Sequence, residues 1–272
     1  MNEPQKVHVG ERVQRLKGEQ EPMIISISAH KGGVGKTTTS VNLSVGLASL
    51  GKKALLIDFD PQGHSSIGLD HEIEYSVPNM ADVLGDQNLP LREVLIPIHD
   101  HLDLAPANLR LAKVGETLYA SLRKEEKLKK ALRSVSGSYD FILIDCPPSL
   151  GILTANAILA ADFIIIPCQV SPRSTDGLND LLDIARLLKD VERGEFEHYL
   201  VLMTMVDLRN KATNEAIFSH IKERGYKTFD TAIHMSTAHV QSQIMRQTIF
   251  DYDPRGRGAE DYLSLAREVL KL

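Results

Sequence analysis

The sequence predicts an α/β protein with a doubly wound, mostly parallel sheet and helices on both of its faces. Three observations lead to this prediction. Short runs of Ile, Leu and Val are continuous rather than alternating with polar residues, which is typical of strands buried on both faces. Amphipathic stretches with helical spacing separate these runs. A glycine-rich segment directly follows the first run, as in a strand-to-helix turn.

Strands and helices are predicted to alternate along the chain from Met23 onward. The predicted strands are Met23 to Ser28, Ala54 to Asp60, Phe141 to Asp145, Asp162 to Cys168 and Tyr199 to Val206. The first helix is predicted over Thr37 to Leu50, and Gly51 follows it at the position where glycine commonly ends a helix. Further amphipathic stretches cover residues 109–134, 150–160, 175–192, 211–224 and 259–271.

Residues 23–272 contain no repeat, low-complexity segment or Pro/Gly-rich linker, which indicates a single domain. Residues 1–22 differ in composition, because four Lys and Arg balance four Glu and apolar residues are sparse. We interpret this segment as a flexible leader. The alternative is a short helix that folds when it contacts a partner.

Composition excludes several classes of protein. The chain has 272 residues, 43% hydrophobic and 25% charged, with a net charge of -5, which is ordinary for a globular protein and not for a disordered or fibrous one. Its two cysteines are too few for a disulfide framework or a four-cysteine zinc site. No apolar run approaches the roughly 20 residues of a membrane span, and the N-terminus lacks the apolar core of a signal peptide. We therefore expect a soluble, cytoplasmic protein.

The glycine-rich segment has the residue types of a phosphate-binding loop. Backbone N–H groups of such a turn converge on a phosphate, and the following helix adds its partial positive charge. Lys36 would place a cation on the β- and γ-phosphates, and the Thr37 hydroxyl would bind Mg²⁺. The segment is Lys31, Gly32, Gly33, Val34, Gly35, Lys36, Thr37 and Thr38.

This loop departs from the pattern G-x-x-x-x-G-K-[ST]. The position of the first glycine, five residues before Gly35, is occupied by His30. Lys31 and Gly32 lie inside the loop instead, so that a second lysine stands near the loop's start. The departure distinguishes this loop from the common one.

Two aspartates at the ends of predicted strands support the assignment. Asp60 follows the second strand and Asp145 ends the third. The carboxyl ends of parallel strands face the same crevice as the loop after the first strand. Asp145 is therefore predicted to hold Mg²⁺ through its water shell. Asp60 is predicted to belong to the metal site together with Thr37 and Asp145, and to orient or polarise the attacking water. Asp58, in the same short segment, is interpreted as structural.

The loop resembles the deviant phosphate loop of the ParA/MinD superfamily, in which a lysine at the position of Lys31 reaches the nucleotide of a partner subunit. The stretch DFDPQGHSS resembles that superfamily's first switch segment, and FILIDCPPSLGILTANAIL, residues 141–159, its second. Residues 252–270 resemble the entry to its C-terminal helix. Three motifs in order identify the chain as a member of the superfamily, on the branch of ParA-type partition ATPases.

The resemblance implies a function. ParA-type proteins bind Mg²⁺ and ATP, dimerise around two nucleotides and bind nucleoid DNA without sequence preference. A ParB-like protein or other cargo adaptor stimulates their slow hydrolysis, so that a plasmid, chromosome or protein complex is positioned. Slow turnover agrees with the residues, because no Glu or Gln beside the loop is evident as an activator of water and Asp60 is the one good candidate. The cargo is not named by the sequence.

The resemblance also suggests residues for DNA and adenine contacts. Arg209 matches a DNA-contacting arginine of the family, whereas Ala238 replaces a second one. Further candidates for DNA contact are Lys211, Arg246, Arg255 and Arg257. Ile233, His234 and Met235 form the segment expected against the adenine, with His234 in place of the usual proline. The basic run 123–130 is interpreted as the solvated face of a long helix, and the alternative is a contact with DNA or a partner.

Three other classes remain open. A MinD-like regulator would anchor to a membrane through an amphipathic C-terminal helix, but residues 263–272 are more consistent with a helix packed on the domain. An iron–sulfur relative of the nitrogenase iron protein would need cysteines from each subunit to converge on a cluster, whereas Cys146 and Cys168 are interpreted as small buried apolar residues. A scaffold that binds ATP without hydrolysing it is disfavoured by the presence of Asp60.

Overall fold

The computed structural model describes residues 21–272 except 86, 172–174, 176 and 190–196. The strands are β1 Met23–Ile27, β2 Ala54–Asp58, β3 Ile96–His99, β4 Leu102–Ala105, β5 Phe141–Asp145, β6 Phe163–Gln169 and β7 Tyr199–Thr204. They form one sheet in the order β3-β4-β2-β5-β1-β6-β7. All neighbouring pairs are parallel except β3 with β4. The predicted mostly parallel sheet is confirmed.

Helices connect the strands and cover both faces of the sheet. They are α1 Lys36–Ser49, α2 His64–Gly68, α3 Met80–Leu84, α4 Arg110–Leu118, α5 Lys127–Leu132, α6 Ile152–Ala160, α7 Leu178–Leu188, α8 Lys211–Glu223, α9 Thr237–Ile244, α10 Ile249–Tyr252 and α11 Arg257–Val269. Short 3₁₀ turns lie at Leu91–Val94, Lys124–Glu126 and Arg133–Val135. Within the described ranges, none of these helices combines the length and apolar character needed to cross a bilayer.

Alternate residues of the central strands pack into separate cores on the two faces. On one face, side chains such as Ile25 and Leu143 pack with Leu43 of α1 and Leu265 of α11. On the other face, residues such as Ile144 pack with Leu153 of α6. This double burial explains why the strands are apolar throughout rather than alternating.

The central strand β1 lies where the direction of chain winding reverses. From β1 the chain passes through α1 to β2 on one side, while β6 and β7 lie on the other side. In open parallel sheets, ligands bind beyond the carboxyl ends of the strands at such a switch point. The loop after β1 and the ends of β2 and β5 therefore meet at the expected binding edge.

Some predicted boundaries need correction. The stretch 109–134 is not one amphipathic unit, because α4 ends at Leu118 and α5 begins only at Lys127. Strands β3 and β4 and the short helices α2, α3, α9 and α10 were not predicted. The predicted leader 1–22 lies outside the described residues up to residue 20, as do parts of the stretch 175–192.

Candidate phosphate-binding site

The glycine loop joins β1 to the first turn of α1. Helix α1 begins at Lys36, and Gly35 before it has a φ of 90°. Gly33 has a φ of 73°. A Cβ at Gly33 would meet no atom within 4 Å, so the backbone conformation and not lack of space requires glycine there. The loop thus leaves the N-terminus of α1 open toward the crevice, where an anion would be stabilised.

Lys36 is a buried cation at the start of α1. Its side chain is 7% exposed, and its Nζ donates a long, 3.3 Å hydrogen bond to the carbonyl oxygen of Lys31. Burial lowers its pKa, while the nearby carboxylates of Asp145 and Asp60 act in the opposite direction. An ammonium held this way lacks a strong partner of its own, and a phosphate oxygen would supply one.

Lys31 and Lys36 differ sharply in exposure although both belong to the loop. Lys31 is exposed, as are Gly32 and Gly33, whereas Val34 is buried. The loop is anchored from below, because the Thr204 hydroxyl at the end of β7 donates to the Val34 carbonyl at 2.9 Å. The Lys31 side chain is therefore accessible from solvent, whereas that of Lys36 is not.

Asp145 lies at the end of β5 and is fully buried. Its carboxylate accepts hydrogen bonds from the hydroxyls of Ser40 at 2.9 Å and Ser65 at 2.8 Å, and from that of Thr37. Burial raises the pKa of Asp145, and the three hydroxyl donors oppose the rise. The arrangement places Thr37 and Asp145, two of the three predicted metal-binding side chains, in direct contact.

Asp58 is the register neighbour of Asp145 across the β2–β5 pair and is equally buried. Its Oδ2 accepts from both the backbone N–H and the hydroxyl of Ser66, at 2.8 and 2.7 Å, whereas Oδ1 has no partner. Burial, followed by repulsion from Asp145, raises the pKa of Asp58 to about 8. The carboxyl group of Asp58 therefore holds a proton at neutral pH and fastens α2 to the sheet.

Asp60 lies in the turn between β2 and α2 and is 7% exposed. Its Oδ1 accepts a 3.0 Å hydrogen bond from the backbone N–H of Gln62. Its charge acts on Lys36, Asp58 and Asp145, which shows that the predicted catalytic side chains share one crevice. The structure thus brings together Lys36, Thr37, Asp60 and Asp145, as the sequence predicts.

Four polar residues of this site were missed at the sequence level. Ser40, Ser65 and Ser66 hold the two buried carboxylates. Gln243 of α9 donates from its side chain to the Thr38 hydroxyl at 2.6 Å. The four-residue spacing of Ser40 from Lys36 places both on one side of α1 and was a usable signal. The Gln243 contact joins residues 205 positions apart and had no local signal.

The segment expected against an adenine divides into buried and exposed residues. Ile233 is 4% exposed and belongs to the core, so it offers no free wall in this structure. The backbone N–H of His234 and its ring Nδ1 both bond the Asp261 carboxylate at 2.9 Å. Met235 is 56% exposed and is the one member of the three open to a ligand.

The five candidate DNA residues are all exposed, but two of them are paired with carboxylates. Arg209 forms an ion pair with Asp207, in which Nη2 of Arg209 lies 2.8 Å from Oδ2 of Asp207. The hydrogen bonds from Arg209 lower the pKa of Asp207 to about 2. Arg246 pairs with Glu72 at 2.8 Å. The remaining three, exposed and without an ion pair among the described residues, are Lys211, Arg255 and Arg257.

Two rival classes lose their structural basis. Helix α11 is not a free amphipathic helix, because Tyr262, Leu265 and Val269 are at most 1% exposed and pack with the core. Cys146 and Cys168 are buried thiols, and burial raises their pKa to about 12 and about 11. Within the described part of the chain, no group of His, Cys, Asp and Glu could hold a metal by itself.

A glycine loop at the switch point, followed by a helix that begins with a buried lysine, defines the phosphate-loop class of α/β proteins. Residues 22–198 match the family model described as "AAA domain". The chain is 40% identical to the sporulation initiation inhibitor protein Soj of Bacillus subtilis, over 90% of this chain and 97% of that protein. It is 35% identical to the chromosome partitioning protein ParA of Myxococcus xanthus, over 91% and 88%.

The chain belongs to the ParA/Soj family of partition ATPases, as the sequence predicts. Among solved structures, it superposes on cobyrinic acid a,c-diamide synthase of Mycobacterium smegmatis with a TM-score of 0.77 and 26% identity, covering 92% of this chain and 95% of that one. That structure contains an ATP analog and magnesium. The MinD-like and iron–sulfur interpretations are disfavoured relative to the ParA interpretation.

Proposed function

We propose that this protein is an ATPase that dimerises on binding ATP, binds DNA without sequence preference and positions or segregates a cargo. The observation that carries the proposal is the contrast within the loop between buried Lys36 and exposed Lys31. A single subunit needs one lysine for its own phosphates. The second, exposed lysine of the same loop, Lys31, would bind a phosphate of the nucleotide held by another subunit.

The residues present fit Mg²⁺ and ATP. The buried ammonium of Lys36 and the open N-terminus of α1 suit a triphosphate. Thr37 and Asp145 are oxygen donors in contact with each other, the type of donor that Mg²⁺ prefers. When bound, the metal would neutralise developing charge on the phosphate oxygens. Met235 is the side chain we assign to the adenine, with His234 and Ile233 shaping the segment behind it.

Asp60 is the residue we assign to positioning the attacking water. It lies next to the phosphate loop, and its charge acts on the buried ammonium of Lys36. A lone aspartate without a second base is a weak activator of water. Slow hydrolysis follows, and a ParB-like protein or other cargo adaptor would accelerate it by improving the geometry.

DNA contact is assigned to the exposed cations near the carboxyl edge of the sheet. Arg209 and Lys211 follow the end of β7, and Arg255 and Arg257 lie at the start of α11. A surface patch of cations is sufficient for salt-sensitive DNA binding even though the chain is acidic overall. Such a protein would work in the cytoplasm, on the nucleoid, and the leader 1–22 is a candidate contact for its partner.

The proposal is tested by comparing Lys31→Ala with Lys53→Ala, an equally exposed lysine remote from the loop. Both variants should bind ATP as the wild type does. Only Lys31→Ala should lose the ATP-dependent dimer in size-exclusion chromatography with light scattering. A monomeric wild type with a non-hydrolysable ATP analogue, or a Lys31→Ala variant that dimerises normally, would contradict the proposal.

The DNA contact has its own test. Arg209→Glu should weaken retention on a DNA column in the presence of ATP and leave the affinity for nucleotide unchanged. If nucleotide affinity falls together with DNA affinity, the role assigned to Arg209 is wrong.

A further inference from the structure

A concave basic surface lies away from the phosphate loop, between α5 and the end of α6. We name it the basic groove, and its lining residues are Leu122, Arg123, Glu126, Lys127, Lys129, Lys130, Arg133 and Leu159. Five of these eight residues are cations and one is a carboxylate. The proposed ATP and dimer contacts use none of these residues.

The groove concentrates positive charge in an acidic protein. Residues 123–133 contain six Lys and Arg and two Glu, whereas the whole chain has a net charge of -5. Arg123 has only a distant carboxylate, Glu126, at 3.9 Å. The other four lining cations form no ion pair with any residue that the structure describes. Their charge is therefore available to a ligand.

The backbone fixes these cations on one outer face. The chain turns at Arg123, where φ is 50°, passes through one 3₁₀ turn and enters the short helix α5. Asn156 of α6 anchors the turn, because its Nδ2 donates to the Lys124 carbonyl at 2.8 Å and its Oδ1 accepts from the Leu128 N–H at 3.1 Å. Leu128 and Leu132 are buried, so the lysines point outward. The cations are exposed to solvent as expected from the sequence, but they lie on a turn and a short helix rather than on one long helix.

The groove lies at the opposite end of the sheet from the nucleotide site. Helix α6 starts after the carboxyl end of β5 and ends at Ala160, just before β6 begins. Leu159 is therefore near the amino ends of the parallel strands, about 10 Å along α6 from its start at Ile152. A ligand in the groove leaves the phosphate loop and Lys31 open.

The chemistry of the groove favours a nucleic-acid backbone over a protein. The buried centres of protein–protein interfaces are depleted in Lys and Glu, whereas protein–DNA interfaces are strongly positive. Only two of the eight lining residues, Leu122 and Leu159, are apolar. We propose that the basic groove binds DNA phosphates independently of nucleotide, as a second DNA contact besides that of Arg209. The inference rests on the proposed function as a DNA-binding ATPase.

The test compares Lys130→Glu/Arg133→Glu with Lys113→Glu/Lys222→Glu, a pair of exposed lysines on other helices with the same change in charge. Binding of a fluorescein-labelled duplex of arbitrary sequence is measured by anisotropy against salt, in EDTA without nucleotide. The groove variant should lose affinity about tenfold at low salt, and the slope of log K against log salt should fall by about two. The control pair should change neither quantity beyond a general charge effect, and circular dichroism should show both variants folded.

Three outcomes separate the possibilities. If the groove variant matches the control without nucleotide, the groove proposal is wrong, and the proposed function stands if the wild type still binds DNA with ATP. If DNA binding is lost with ATP but remains groove-dependent without it, the proposed ATP-dependent contact is wrong and the groove proposal stands. If the groove variant loses only its binding to poly-L-glutamate and keeps DNA affinity, the groove is a site for an acidic protein and the DNA proposal is overturned.

Discussion

The stability of Asp58→Asn relative to the wild type should increase as pH rises. Asp58 is fully buried, one of its oxygens has no partner, and its pKa is raised to about 8. Asparagine has nearly the same shape, carries no charge, and keeps an oxygen that can accept from Ser66. The substitution therefore removes the free-energy cost of ionising a buried carboxyl group, and the similar size of asparagine leaves no cavity.

The magnitude follows from linkage between proton binding and folding. In the unfolded chain an aspartate ionises near pH 3.9, so between about pH 4 and pH 8 the folded protein binds one proton more than the unfolded chain. Stability contributed by this group then falls by up to about 1.4 kcal/mol for each pH unit in that window. From pH 5 to pH 8 the wild type loses roughly 3 to 4 kcal/mol that the asparagine variant does not lose.

Urea unfolding of both proteins in EDTA, without nucleotide, measures the difference at several pH values. Taking the difference between variant and wild type removes the contributions of all groups that titrate in both. Asp70→Asn is the matched control, because Asp70 is exposed and its positive φ of 58° suits asparagine. A stability difference for Asp58→Asn that stays constant from pH 5 to pH 8 would refute the reasoning that Asp58 holds a proton.

Four further outcomes are expected. Lys36→Ala should weaken binding of a fluorescent ATP analogue about 100-fold or more, because a buried charge-assisted contact is lost; unchanged affinity would remove the phosphate-loop assignment. Asp60→Ala should keep ATP binding and lower phosphate release about 100-fold, and a wild-type rate would show that another group positions water. Leu265→Ala, at a fully buried position, should cost about 2–5 kcal/mol in urea unfolding; a loss below about 1 kcal/mol would contradict the packing of α11 against α1. Cys146 and Cys168, buried with raised pKa values, should react with a thiol reagent only on unfolding, and rapid labelling of the native protein would argue against their burial.

The central strands could be predicted because they are buried on both faces and their apolar runs are therefore continuous. Strands β3 and β4 could not be predicted, because each has only four residues. In addition, β3 is an edge strand that contains Pro97 and is half exposed. Its pairing with β4, not its own composition, makes it a strand. In the centre of the sheet the local sequence pattern is therefore sufficient to predict a strand, whereas at this edge the strand depends on its pairing with a neighbour.

The phosphate loop was predictable because its chemistry lies in eight consecutive residues. The Ser65 hydroxyl on Asp145 was not, because Ser65 is 80 positions away from it and belongs to a different element. The cations of the basic groove are visible in the sequence, but their arrangement on a turn is not, for a related reason. The turn at Arg123 depends on Asn156, which lies 32 positions from the carbonyl it holds.

The crowding of hydroxyls around Asp145 has a consequence for the protein between rounds of turnover. A buried carboxylate without hydrogen-bond donors would lower the stability of the fold whenever no nucleotide is bound. Here serine and threonine hydroxyls replace the hydrogen bonds of water to this carboxylate, so the protein without nucleotide stays folded. Nucleotide binding would then change the hydrogen-bond partners of the Asp145 carboxylate. Because these partners belong to α1 and α2, both helices are linked to the end of β5 through this one carboxylate.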